Sequence, residues 1–511
     1  MTGLGRTTAV ALVGLSGHLV EVEAHLAASV PGFTLVGLPD ASLAESRDRV
    51  RAAVVSSGVP WPQRRITVNL SPAALPKAGA GFDLAVAVAT LAGAGVCDPR
   101  SVAASTHLGE LGLDGRLRPV RGVLPAVAAS VAAGRRGVVV PYGNVVEARL
   151  VPGAEVVGAV TLRDVLRRHG ADLDPDDGAV VPVVGDPGPA HRGHVADLAD
   201  VIGQDEARWA LEVTAAGGHH LLMVGPPGTG KTMLAARLPG LLPDLEETEA
   251  VEVTAVHSVS GTFRPADGLV RRPPFEDPHH TATPAAVVGG GSGLPRPGAA
   301  SRAHRGVLFL DEAPEFSPRV LQTLRQPLEQ GELVIHRAAG AARFPARFQL
   351  VLAANPCPCG KGAGKGTDCT CTSLERRRYF SRLSGPLLDR VDVQVDVLPV
   401  TRVARGGPTP GEATAVVAAR VREARARARR RLAGTPWTAN AEVPGAWLRR
   451  QDGVPVGLLD RALDRGVLSL RGVDRVLRVA WTLADLAGRD APGPDEVGQA
   501  LLLRTRGQVV A

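Results

Sequence analysis

The chain has 511 residues, enough for several domains each with its own core. Hydrophobic residues make up 45% and charged residues 21%, which excludes a disordered chain, and no apolar run approaches the ~20 residues of a membrane span. The formal net charge of +7 permits a polyanionic partner without requiring one.

The N-terminus carries one early basic residue, Arg6, and a weak apolar stretch broken by Gly and His, unlike a secretory leader. The expectation is a cytoplasmic protein with no membrane partner. In such a reducing compartment five cysteines, four of them clustered, argue for a metal site rather than disulfides.

Residues 1–175 read as an α/β unit. Gly32–Leu38 and Arg65–Leu70 have strand character and flank a helical segment that opens near Asp40 and carries Arg47, Arg49 and Arg51. Asp83–Ala89 begins a second, apolar helix. Residues 176–195 are rich in Pro, Gly and Asp without periodicity, which reads as a linker to the segment 196–400.

That segment opens with the stretch His219-His220-Leu221-Leu222-Met223-Val224, an apolar run of strand character. It passes into Gly225-Pro226-Pro227-Gly228-Thr229-Gly230-Lys231-Thr232, and then into Met233–Leu238, a good helix former. Strand, GxxxxGK[ST] and helix in that order make a phosphate-binding loop: the glycines let backbone N–H groups converge, and the helix N-terminus adds positive potential. Lys231 suits the β- and γ-phosphates, and the Thr232 hydroxyl suits Mg²⁺. Downstream, Val307-Leu308-Phe309-Leu310 is a buried-strand pattern ending in Asp311-Glu312. The first carboxylate can hold Mg²⁺ and the second can polarise an attacking water, so the chain reads as a nucleotide hydrolase.

Two strand-like runs, Glu332–Arg337 and Arg343–Ala346, surround the small-residue tip Ala338–Ala342 and predict a β-hairpin. Cys357, Cys359, Cys369 and Cys371 offer four thiolates across a short loop, enough to close a tetrahedral, structural Zn²⁺ site, although C-x-C is tighter than the usual spacing. Cys97 follows an apolar helix and reads as a small core residue. After a second Pro/Gly break at Gly406–Gly411, the segment 401–511 is helical. The arginines of Val416–Leu432 (Arg420, Arg422, Arg425, Arg427, Arg429, Arg430 and Arg431) spread round the helix, so a solvated face is expected, with a nucleic-acid contact as the alternative.

With both nucleotide motifs placed, the chain resembles the AAA+ ATPases of the YifB/ComM type, relatives of the magnesium-chelatase ATPase subunit. The resemblance covers almost the whole length. It rests on Phe33–Asp40, Pro278-His279-His280-Thr281-Ala282-Thr283-Pro284-Ala285-Ala286, His304-Arg305-Gly306, Asn355-Pro356-Cys357-Pro358-Cys359-Gly360 and Leu383–Arg390.

The implied fold is multidomain α/β: a Lon-protease-like N-terminal domain, an AAA+ P-loop αβα core (196–400) with an inserted β-hairpin and a four-cysteine loop, and a helical C-terminal lid (401–511). The implied ligands are ATP and Mg²⁺, and the implied assembly is a ring, a hexamer.

The resemblance also assigns roles. Asn355, ending the strand Gln349–Ala354, matches the sensor-1 group, and Arg390 matches an arginine finger reaching a neighbouring subunit's γ-phosphate, the alternative being an ion pair with Asp389 or Asp392. Arg471 matches the sensor-2 arginine, with Arg475 and Arg478 on nearly the same helical face. In this clade the hairpin points into the pore, where Arg337 and Arg343 can grip a phosphate backbone without reading sequence; ordinary surface arginines are the competing reading. The segment 276–298 also lines the channel by this resemblance, although Phe275-Glu276-Asp277 is more acidic than family members tend to be there.

Pro76–Asp83 and Gly109–Leu124 resemble the Lon protease domain, but Gly81 stands at the dyad Ser position and Leu124 at the dyad Lys position. Neither can attack a carbonyl or take a proton, so no peptide cleavage is expected. The implied activity is an ATP-driven motor on single-stranded or branched DNA, akin to ComM-like branch migration. The alternatives are a chelatase-type ATPase and one that remodels a protein partner.

Overall fold

The computed structural model describes residues 3–37, 45–77, 79–174, 180–183, 196–291, 295–337, 340–362, 369–383, 385–400, 411–451, 453–455 and 457–505. Strands β1 (Gly3–Val13) and β2 (Ser16–Ala27) form an antiparallel hairpin that seeds a seven-stranded mixed sheet. Along β2 the side chains alternate: Val20, Val22, Ala24 and Leu26 are buried, and the residues between them carry Glu and His toward the other side.

The sheet adds β3 (Gly32–Val36), β4 (Arg65–Ser71), β5 (Thr106–His107), β8 (Gly137–Pro141) and β9 (Glu155–Ala159) in the order β3-β4-β2-β1-β5-β8-β9, while β6 (Glu110–Leu111) and β7 (Leu117–Arg118) make a separate ribbon. Helix α1 (Ser46–Ser56) carries the three arginines, and the expected opening near Asp40 falls on residues outside those described. Every residue of helix α2 (Asp83–Gly93) up to Ala92 is buried, as its apolar composition requires. Cys97 lies in the same core, its thiol pushed up to about 11 by burial. Helices α3 (Val123–Ala132), α4 (Val145–Ala148) and α5 (Leu162–Arg168) follow. The expected linker 176–195 lies outside the described residues except for 180–183.

Helix α6 (Asp205–Gly217) leads into a second sheet built from β10 (Leu221–Val224), β11 (Phe275–Glu276), β14 (Val307–Leu310), β17 (Gln349–Ala354) and β18 (Val393–Asp396). All its pairs are parallel, in the order β11-β14-β17-β10-β18. Both faces are covered, which is why the central strands read as unbroken apolar runs. Alternate residues feed two cores. Leu221, Met223, Phe309, Val351 and Val395 join one, and Leu222, Val224, Leu308, Leu310 and Leu352 join the other.

Between β10 and β14 the chain forms helix α7 (Lys231–Ala235), helix α8 (Glu247–Ser260), helix α9 (Pro284–Val288) and the two-residue strands β12 (Gly289–Gly290) and β13 (Arg296–Pro297). Helix α7 is shorter than the run Met233–Leu238 predicts, since Pro239 has no N–H to offer the Ala235 carbonyl. Strands β15 (Glu332–Arg337) and β16 (Gly340–Pro345) form the expected hairpin, but with Arg337 opposite Gly340 its tip is tighter than the five residues anticipated. Gly340, Ala341 and Ala342 lack strand propensity and are carried into the ladder by cross-strand pairing.

Helix α10 (Ser373–Ser381) precedes β18, and helices α11 (Thr414–Arg431), α12 (Leu470–Ala487) and α13 (Pro494–Thr505) pack on the first of the two cores. The arginines of α11 correct the expectation of a solvated face only in part, Arg429 being exposed as well. Arg420 pairs with Glu212 and Glu412, and Arg425 donates to the Ala215 carbonyl. Arg431 pairs with Asp485 at 2.5 Å and lies over the Trp481 ring. Arg422 and Arg430 remain exposed.

The two sheets meet through α8. Ala255, with Val251 beside it, packs with Val123 and Val127 of α3. Buried Glu147 of α4 accepts from the Leu124 amide at 3.0 Å, from Asn144 at 3.3 Å and from the Ser258 hydroxyl of α8. The β1–β2 turn also presses on the second hairpin, for a Cβ at Gly14 would lie 2.4 Å from the Arg343 carbonyl oxygen. No described helix is long and apolar enough to cross a membrane.

Candidate nucleotide site and cysteine centre

The loop Gly225–Gly230 leaves the C-terminal end of β10 and enters α7, with Gly228 (φ 76°) and Gly230 (φ 90°) in the left-handed region that glycine adopts freely. Lys231 Nζ donates to the Gly225 carbonyl at 2.6 Å and the Pro226 carbonyl at 2.9 Å, and lies 3.2 Å from Asn355 Oδ1. Thr229 Oγ1 donates to Pro226 O at 2.9 Å, folding the loop on itself. Burial lowers the Lys231 ammonium, while Asp311 and Glu312 pull in the opposite direction.

Asp311 follows β14 and accepts from the Thr232 hydroxyl at 2.5 Å. Glu312 sits at φ 49°, a costly backbone for a residue with a Cβ. The fold thus brings Lys231 onto Asn355 and Thr232 onto Asp311, two pairs from separated stretches, with Glu312 following Asp311. Thr232 and Asp311 offer the hydroxyl and carboxylate oxygens that suit Mg²⁺.

Two supporting residues had no role in the sequence reading. Gln204 (φ 60°) donates to the Thr229 carbonyl at 3.3 Å and the Leu398 carbonyl at 2.5 Å, tying the loop to the end of β18. Buried Tyr379 accepts from the Asn355 amide, and burial pushes its phenol up to about 12.

Arg390 lies elsewhere. It precedes β18, and because β18 runs parallel to β10 it occupies the opposite end of the sheet from the loop, about 13 Å of strand away. Its guanidinium pairs with Glu329, a carboxylate not named from sequence. Asp392 is instead fully buried between His219 (3.1 Å) and Arg475 (2.9 Å). Burial alone would raise its carboxyl, but Arg475 and His219 outweigh burial and hold it far below the usual range.

Of the three arginines on α12, Arg478 is committed to the Val443 carbonyl and Arg475 to Asp392, whereas the Arg471 side chain is 82% exposed, 3.8 Å from Asp389. Arg390, Arg475 and Arg478 line a cleft of about 680 Å³ together with His220, Glu329 and Trp437.

Arg343 is exposed on β16 and pairs with Glu332 at 2.9 Å; the Arg337 side chain lies outside what is described. Glu276, which looked like an acidic intrusion into a channel segment, belongs to edge strand β11 and is gripped by Arg302 at 2.7 and 3.0 Å.

The four sulfurs of Cys357, Cys359, Cys369 and Cys371 lie within 4.8 Å of one another. Cys357 is 3.3 Å from Cys359 and 3.6 Å from Cys369. A Zn²⁺ ion at about 2.3 Å from each thiolate requires sulfurs about 3.8 Å apart, so the donor set fits. Burial pushes the Cys357 thiol up to about 12, while Cys359, which accepts from the Lys361 amide and from Cys357, is lowered to about 6.

Residues 197–404 match the family described as magnesium chelatase, subunit ChlI; residues 22–144 match subunit ChlI of Mg-chelatase, and 411–504 match the ChlI C-terminal family. The chain is 52% identical to the uncharacterized protein Rv2897c of Mycobacterium tuberculosis, across 99% of each chain. It is 41% identical to the competence protein ComM of Haemophilus influenzae, across 96% of this chain and 95% of that one. It is 40% identical to YifB of Escherichia coli, across 94% and 93%. A loop built for phosphates on an all-parallel sheet, followed by a four-cysteine centre, thus lies within a likeness that runs along nearly the full length of these relatives, and the chain belongs to the YifB/ComM family of magnesium-chelatase-like proteins.

Proposed function

We propose that this protein is a ring-forming ATPase that uses ATP hydrolysis to move or remodel DNA, as ComM-like branch migration would require. The observation that carries the hydrolase reading is the convergence of Lys231, Thr232, Asp311 and Asn355, in which Lys231 Nζ touches Asn355 at 3.2 Å and Thr232 touches Asp311 at 2.5 Å. On ATP binding Lys231 exchanges loop carbonyls for β- and γ-phosphate oxygens, and the loop amides cradle the phosphates. Thr232 and Asp311 would hold Mg²⁺, which supplies charge neutralisation on the phosphates. Glu312 accepts the proton of the attacking water, and Asn355 orients that water.

Arg390 and Arg471 stand at the far end of the sheet, out of reach of their own loop, so each is assigned to the nucleotide of a neighbouring copy. That arrangement makes hydrolysis depend on a closed ring, with six copies as the expected number. The DNA reading draws support from exposed Arg343 on the hairpin and from the likeness to a competence protein. The N-terminal unit is read as Lon-like but peptidolytically inert: Gly81 offers no nucleophile, and at the expected dyad Lys position the Leu124 amide is bonded to Glu147. The C-terminal helices are read as the lid, and the four cysteines as a structural Zn²⁺ site.

The test is the steady-state ATPase rate with and without single-stranded and forked DNA, using Lys231→Ala as the blank. A DNA-stimulated rate that collapses in Arg337→Ala/Arg343→Ala supports the motor. An active ATPase indifferent to every DNA tested sinks the DNA reading and favours a protein partner, whether chelatase-like or otherwise.

A further inference from the structure

Helix α10 follows directly on the cysteine centre, and the nucleotide chemistry described above uses none of its charged side chains. Its sequence, Ser373-Leu374-Glu375-Arg376-Arg377-Arg378-Tyr379-Phe380-Ser381, divides by face. Arg376, Tyr379 and Phe380 turn inward. Arg376 Nη2 donates to Cys369 Sγ at 3.3 Å, buried Tyr379 accepts from the Asn355 amide, and Phe380 packs on the core that holds Leu222 and Leu352. At the N-terminal end Thr372 and Glu375 cap each other, the carboxylate accepting from the Thr372 amide at 2.7 Å and its hydroxyl at 3.0 Å. The helix is therefore held at its start and along its inner face.

The outer face is a different surface. Leu374, Arg377, Arg378 and Ser381, spaced i, i+3, i+4 and i+7, are all exposed. Lys361, two residues after Cys359, is exposed as well. The one carboxylate on the helix, Glu375, is occupied by its cap, with Arg378 within Coulombic reach of it. Neither Arg377 nor Lys361 has a carboxylate partner among the described residues. Elsewhere in the chain long cations find such partners, as Arg420 and Arg431 do on α11.

We infer that the outer face of α10, with Lys361, is a second contact for a nucleic-acid phosphate backbone, separate from the hairpin arginines. This deepens the DNA reading and rests on it. A phosphodiester chain supplies closely spaced charge and asks only for cations held in place. An acidic protein would need an apolar centre beside the charges, and Leu374 alone does not provide one. Through Tyr379 the contact stands one bond from Asn355, the residue that touches Lys231.

Three full-length proteins decide it: the parent, Arg377→Ala/Arg378→Ala and Arg377→Lys/Arg378→Lys. Binding of fluorescein-labelled single-stranded DNA is followed by anisotropy across a roughly fourfold rise in salt, with basal ATPase rate and bound metal measured on each. The alanine pair should bind every sequence more weakly, with a salt slope lower by about 1.4, the worth of two phosphate contacts on a single strand. Its deficit against the parent should therefore shrink about 7-fold over that salt range. The lysine pair keeps the charge and should keep the parental slope, while basal ATPase rate and metal content stay the same in all three. A parent that binds DNA beside an alanine pair of equal affinity and slope overturns the inference. So does displacement of the DNA by poly-glutamate as readily as by unlabelled strand at equal charge, which would make the face a site for acidic protein. A parent that binds no DNA at any salt sinks the DNA reading and this contact together, a result distinct from the other two.

Discussion

Pro227 of the phosphate loop packs against the backbone of Gly360, the residue directly after Cys359. A Cβ at Gly360 (φ 76°) would lie 2.7 Å from Pro227 Cδ. Asn355, which touches Lys231, lies only two positions before fully buried Cys357. The cysteine centre is therefore a buttress under the phosphate loop rather than an appendage.

Stripping the Zn²⁺ proposed for the four cysteines should loosen that buttress and weaken binding of a fluorescent ATP analogue. Metal content by mass spectrometry and nucleotide affinity should fall together under chelator and recover on adding Zn²⁺. Gly360→Val should weaken nucleotide binding with the metal content retained. Full affinity in the metal-free protein would sever the two.

Arg390 and Lys231 sit at opposite ends of the parallel strands β18 and β10, which makes complementation the direct check on sites shared between copies. Lys231→Ala and Arg390→Ala should each be inactive alone. Mixed in equal amounts, they should recover about a quarter of parental turnover, because one interface in four pairs an intact loop with an intact arginine. No recovery in a mixture shown to exchange subunits would place Arg390 outside the chemistry.

Acid should destabilise the protein well above the carboxylate range. Burial lowers His107 to about 3 and His220 to about 4. His107 is held by Thr7 at 2.7 Å and His169 at 2.9 Å, and His220 Nδ1 accepts from the Leu350 amide. Both folded values lie below the ~6.5 of an unfolded histidine, so between these limits the unfolded chain binds more protons and stability falls as the pH is lowered. Going from pH 7 to 5.5 should cost about 2–3 kcal/mol in denaturant titrations if both stay neutral when folded. Asp392, held low by Arg475 and His219 against burial, keeps contributing until the pH drops below the ~3.9 of an unfolded aspartate. A flat stability profile from pH 7 to 5.5 would contradict the assignment.

Glu147 fastens the N-terminal sheet to α8. Removing its carboxylate leaves the Leu124 amide and the Ser258 hydroxyl buried without an acceptor, so Glu147→Ala should destabilise by about 2–4 kcal/mol. Glu147→Gln keeps an oxygen for the Leu124 amide and should recover most of that loss. Protease resistance of the junction between the two sheets should track the same order.

Residues whose placement follows from local order were legible: the strand–loop–helix around Lys231, the run into Asp311, the four clustered cysteines and the strand leading to Asn355. What sequence could not supply was the destination of long side chains. Arg420, Arg425 and Arg431 look alike on a helical wheel, yet one reaches Glu212, one the Ala215 carbonyl and one Asp485, partners 54 to 210 residues away. Glu276 read as a charge in a channel because nothing near it in sequence announces Arg302. His280 was visible as part of a motif, but its partner, Glu312, lies 32 positions on, and only the return of the chain through β14 brings them together. The hairpin tip was misjudged because Gly340–Ala342 are paired by their neighbours and not by their own propensities.

The junction through α8 also shapes how the chain is made. The surface of α3 that Ala255 and Val251 cover leaves the ribosome more than a hundred residues before its cover does. At about 5–20 residues per second, that apolar face stays bare for on the order of ten seconds in every round of synthesis. During that interval the N-terminal sheet is assembled but unsealed, a natural client for holding chaperones and the point at which a nascent chain is most exposed to its neighbours.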